Sequence, residues 1–99
     1  MIGMNVTKEI GVAAVLEQCA EECSELTHAC LKMARKMRGD NPTPASDEET
    51  IKALNEEISD VLVCIDEILE SGVISHEAVE STMLVKRKRW EQRIGEAKE

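Results

Sequence analysis

Apolar residues recur in alternating steps of three and four from Val12 to Met37, through Leu16, Cys19, Cys23, Leu26, Cys30 and Met33. An unbroken run of such steps is a stripe along one side of a helix, with a heptad-like period. A second run, Ile51, Leu54, Ile58, Val61, Ile65 and Ile68, repeats the pattern. The chain has one Trp, no Phe and no Tyr. Its core must therefore be aliphatic, which suits helix-on-helix packing better than a sheet. The fold class expected is all-α.

Three helices are expected. The first runs from about Val6 to Arg38, with Gly39 past its end and Lys32, Arg35, Lys36 and Arg38 at the negative end of its dipole. The stretch Gly39-Asp-Asn-Pro-Thr-Pro-Ala45 is a loop. Ser46-Asp-Glu-Glu49 is a capping box that opens a second helix, which continues to about Ser71 and ends at Gly72. Ser75 caps a third helix to about Arg93, with Ile74 and Val79 spaced as a hydrophobic staple and a polar, frayed tail after Ile94. The short loop predicts that the first two helices form an antiparallel hairpin. The 99 residues make one domain, residues 1–99, with a limited core of its own, so assembly into a four-helix-bundle-like homo-oligomer is expected.

The net charge of −8 argues against nucleic acid as a partner, because the phosphate backbone would be repelled. It does not argue against a phosphorylated small molecule, since a bound cation reverses the local field. No apolar run has the length of a membrane span, and the first residues lack the basic and apolar regions of a signal peptide, so a cytoplasmic protein is expected. Cys19, Cys23 and Cys30 point the same way along one helix and cannot easily pair there. With Cys64 they are expected to be reduced core thiols. No Cys-x-x-Cys or paired His suggests zinc.

Two stretches resemble each other: Glu21-Glu-Cys-Ser-Glu-Leu26 and Glu56-Glu-Ile-Ser-Asp-Val61. Relative to the apolar stripes, Glu22 matches Glu57 and Glu25 matches Asp60. Residues three apart share a helix face, so each helix presents a pair of carboxylates beside its stripe. If the stripes face each other, the pairs converge, and crowded carboxylates need a cation. All-oxygen ligation suits Mg²⁺ or Mn²⁺. Glu21 and Glu56 lie further from the stripes and are expected to be solvated.

These motifs resemble the signature of the MazG-like, all-α nucleoside triphosphate pyrophosphohydrolases. The basic run Lys86-Arg-Lys-Arg-Trp90 is similar to the Lys and Arg that members often carry on the following helix. The resemblance spans about Leu16 to Arg93. It implies Mg²⁺-dependent cleavage of a (deoxy)nucleoside triphosphate to the monophosphate and pyrophosphate, by a homodimer or homotetramer. It also implies metal ligation by Glu22, Glu25, Glu57 and Asp60, with Glu25 doubling as base. Lys86 and Arg89 are the candidates for holding the triphosphate. Lys32 and Arg35 are lesser ones, and Trp90 is the one flat side chain able to stack on a base. The chain lacks the N-terminal aromatic residues of many members. It also has Leu62-Val-Cys64 where the phosphoribosyl-ATP pyrophosphohydrolases tend to carry Tyr-His. Two other readings compete. Glu25-Leu-Thr-His28 has the Glu-x-x-His spacing of a carboxylate-bridged di-iron bundle. The regular stripes alone would also suit a non-enzymatic helical interaction module.

Overall fold

The computed structural model describes residues 3–39 and 44–99. Four helices follow one another: α1 (Val6–Ile10), α2 (Val12–Arg38), α3 (Asp47–Glu70) and α4 (His76–Lys98). No strand occurs among the described residues. The Pro-containing centre of the expected loop, residues 40–43, lies outside them.

The single first helix expected from Val6 to Arg38 is in fact two. Gly11 adopts φ +90° and ψ 154°, which breaks the helical path and lets α1 turn back across the end of the α2–α3 hairpin. Thr7 is buried there, its hydroxyl donating to the Asn5 side chain that also caps α1. At the far end of α2, Gly39 takes the left-handed conformation (φ +71°) and its N–H closes on the Arg35 carbonyl at 2.9 Å. Ser46 caps α3 as its sequence predicts, its hydroxyl accepting from the Glu49 N–H at 3.1 Å. Ser75 does the same for α4, accepting from Ala78 N–H. The tail expected to fray after Ile94 instead continues the helix to Lys98.

α2 and α3 pack as the antiparallel hairpin, with Lys36 paired to Asp47 at 3.2 Å near the connection. Each apolar stripe divides into two heptad series. On α2, Val12, Cys19, Leu26 and Met33 turn toward α3 and join buried Val15 and Ala29, while Leu16, Cys23, Cys30 and Met37 are exposed. On α3, Leu54, Val61 and Ile68 turn inward beside buried Cys64, while Ile51, Ile58 and Ile65 face out. Not all four cysteines are core residues, then: Cys64 is buried and Cys19 half-buried, but Cys23 and Cys30 are exposed. A stripe served by two heptad series is wider than one neighbouring helix can cover.

α4 stands apart from this hairpin. None of its residues is buried, and Met83, Leu84, Val85 and Trp90 are all exposed.

Candidate metal centre

The hairpin register can be read as a ladder. Glu22 approaches Asp60, Glu25 approaches Glu57 and Lys36 pairs with Asp47. This register puts Ala29 level with Ala53 and Lys32 with Thr50 along the cleft that these four help to line. Successive rungs are about one helical turn apart. The four acids occupy two neighbouring rungs, and one carboxylate oxygen from each lies within 4.8 Å of all the others. The convergence expected of Glu22, Glu25, Glu57 and Asp60 is thus present within the single chain. Glu21 and Glu56 point to solvent.

The two glutamates nearest the hairpin axis, Glu22 and Glu57, are half-buried; Glu25 and Asp60 are exposed at the mouth. Gln18, one turn before Glu22, donates its amide to Glu22 Oε1 at 2.8 Å. That bond works to lower the pKa of Glu22. Loss of water around the carboxyl, together with the Glu25 and Asp60 charges, outweighs it and raises Glu22 above the ordinary value. Glu57 is raised as well, first by desolvation and then by its close approach to Glu25 and the charges of Asp60 and Glu22. The remaining oxygens, Glu22 Oε2 and Glu57 Oε2, are buried without a hydrogen-bond donor. An acceptor shielded from water and left without a donor is unfavourable, the more so when charged.

This donor set fits a hard divalent cation. It is all oxygen, its ligand atoms are gathered, and two of its oxygens lack any other partner. Among the described residues, the one ion pair is that of Lys36, four rungs from Glu22 and three from Glu25. The acids therefore have no ion-paired side chain offsetting their charge. Cys64 lies just inside the site. Burial pushes its thiol pKa up first, and the Glu22 and Asp60 charges add to this.

A cleft of about 190 Å³ opens from the carboxylates along the ladder. It is lined by Glu25 and Glu57, by His28, by Ala29 and Ala53, and by Lys32 and buried Thr50, the last two farthest from the carboxylates along the helices. Lys86 and Arg89 do not line it. They project from exposed α4, where Lys86 borders a shallow apolar groove with Trp90 and Met83. Arg35 is exposed and also outside the cleft. His28 reaches the cleft, but its ring nitrogens are not among the convergent ligand atoms. Sequence reasoning passed over Gln18, although its position four residues before Glu22 is the signal for an i,i+4 contact.

Compared with protein-family models, curated proteins and solved structures, the chain finds no match.

Proposed function

We propose that the protein is a Mg²⁺-dependent nucleoside triphosphate pyrophosphohydrolase of MazG-like type, releasing a nucleoside monophosphate and pyrophosphate. The observation that carries this reading is the gathering of four carboxylate oxygens from two matched motifs, with two buried oxygens left unpartnered. The motif resemblance supplies the reaction class.

In this reading Glu22, Glu25, Glu57 and Asp60 hold Mg²⁺, with Mn²⁺ as a substitute. The bound cation supplies charge neutralisation on phosphate oxygens and acidifies water. Glu22 is held in place by Gln18, which fixes one oxygen and leaves the other free to ligate. Glu25 is exposed and lines the cleft, as Asp60 does not, which supports its reading as the carboxylate that accepts the proton of an attacking water.

The working unit in this reading is a homodimer or homotetramer in the cytoplasm, with the outward heptad series of α2 and α3 supplying the contact. Leu16, Ile51, Ile58 and Leu62 are between 40% and 54% exposed in the single chain, a large apolar burden for 99 residues.

The test is pyrophosphate release across a panel of canonical and modified (d)NTPs with Mg²⁺. Monophosphate and pyrophosphate in equal amounts, lost on chelation and in Glu57→Gln, support the reading. A flat panel, or activity indifferent to Glu57→Gln, removes it.

A further inference from the structure

The carboxylates occupy only one end of their cleft. Beyond them the Ala29–Ala53 rung leaves the space between the helices open, and the next rung brings Lys32 to the rim with His28 beside it. Lys32 is seven residues from Glu25, about 10 Å along the helix axis. Side chains on a helix lean toward its N-terminus, so the lysine stem tilts back toward the acids. No salt bridge to Lys32 is recorded among the described residues; the recorded pair uses Lys36, one turn further on. The cleft therefore has a carboxylate end suited to a cation and a cationic end suited to an anion.

Its size constrains what lies between. About 190 Å³ is on the order of six water molecules' share of liquid volume. That is room for a short phosphate chain, and the cleft opens to solvent, so the nucleoside can lie outside it. Its floor is two alanines and a threonine whose hydroxyl already donates to the Ser46 carbonyl at 2.8 Å. No aromatic side chain lines it.

We infer that Lys32, with His28 at the rim, binds the distal phosphates of the substrate, so that the phosphate chain runs from the carboxylates along the α2–α3 cleft and the pyrophosphate product is held there. This rests on the pyrophosphohydrolase reading above and deepens it. It assigns the leaving diphosphate to the hairpin itself and sends the nucleoside away from the Lys32 end. A lysine suits the role because its ammonium is a compact charge on a flexible stem, able to follow the β- and γ-phosphates as the bond between the α- and β-phosphates breaks.

The test is calorimetric titration of inorganic pyrophosphate, and separately of a nucleoside monophosphate, into the Mg²⁺-loaded protein. Wild type is compared with Lys32→Met and Lys32→Arg, and Mg²⁺ binding alone is measured first. Lys32→Met is expected to bind Mg²⁺ as wild type does and to lose pyrophosphate affinity by about ten-fold or more, the size of a lost charge-assisted contact. Monophosphate affinity stays unchanged, KM for the triphosphate rises, and Lys32→Arg recovers most of the loss. Wild-type pyrophosphate affinity in Lys32→Met overturns the inference and leaves the metal site standing. An equal loss for monophosphate overturns it too, because the lysine would then serve the other product. Absence of Mg²⁺ binding in wild type removes the underlying reading, and the inference with it.

Discussion

Glu57 shows how a single side chain can work against the fold it belongs to. Its carboxyl is half-buried against Glu25, and its pKa is raised by desolvation and by the surrounding acids. A carboxyl whose native pKa lies above its unfolded value binds more protons when folded. Its contribution to stability is therefore present at low pH and is lost as pH rises through the native pKa. Glu22 is shifted the same way. The metal-free protein should thus melt at higher temperature just below the raised pKa values than at neutral pH, so far as these groups decide. Saturating Mg²⁺ should remove most of that slope. At a hundred times its dissociation constant a ligand adds about 2.7 kcal/mol, which for a domain this size is a Tm rise on the order of 10 °C or more. Glu57→Gln should raise the metal-free Tm at neutral pH and abolish the Mg²⁺ response, with kcat reduced by about 100-fold or more. Thermal melts across pH, with and without Mg²⁺, check these together; a Mg²⁺ response that survives Glu57→Gln would count against the site. The four acids were legible in the sequence because the two motifs repeat at the same offset from their stripes. Gln18 was not, since an isolated amide on an acidic helix gives no pattern to compare.

Each helix is set by a few local devices, and some of them were easier to read than others. The Ser46 cap was plain from Ser-x-x-Glu, and Ser46→Ala should destabilise the protein by about 1 kcal/mol in urea titration. Gly11 was hidden, because the three-four spacing resumes on its far side and a lone glycine within a helical pattern is usually tolerated. The backbone there has φ +90°, which a residue with a Cβ rarely adopts, although nothing lies within 4 Å of where that Cβ would sit. The strain is therefore purely conformational. Gly11→Ala should lower stability by about 1–3 kcal/mol or straighten α1 into α2 and expose Thr7. A loss of folding free energy, or faster hydrogen exchange at α1, would register it; wild-type behaviour in both would show that the break does not depend on glycine. The split stripes were half legible. Period shows where a helix is apolar, but the arc facing a given neighbour depends on how the pair rotates. Here the rotation brings Glu22 and Glu57 toward the axis and pushes Leu16 and Ile58 out.

At the scale of the molecule, two faces of the hairpin have opposite character. A helix turns about 100° per residue, and in an antiparallel pair equal turns away from the contact carry both helices to the same side. The outward series, Leu16 and Cys23 on α2 with Ile58, Leu62 and Ile65 on α3, therefore form one apolar face, while Glu25, Asp60 and Lys32 lie toward the other. This apolar face lies over a small core of Val15, Ala29, Val61, Cys64 and Ile68, and the prediction is that a second copy of the chain covers it. α4 could not be placed from sequence, because Met83, Leu84 and Val85 are consecutive and define no single face. The structure leaves it exposed, with Trp90 at 68%. That makes the sole Trp a reporter. Leu62 is 54% exposed and outside the carboxylate site, so Leu62→Glu should leave Mg²⁺ binding intact while placing a charge on that apolar face. Wild type should sediment as a dimer or tetramer at micromolar concentration and Leu62→Glu as a monomer of about 11 kDa. If assembly also covers α4, Trp90 emission should shift to the blue with wild-type concentration and stay that of a solvated indole in the variant. Wild type that stays monomeric at high concentration would show that this face has no second copy to cover it, and oligomers unchanged by Leu62→Glu would place the contact elsewhere.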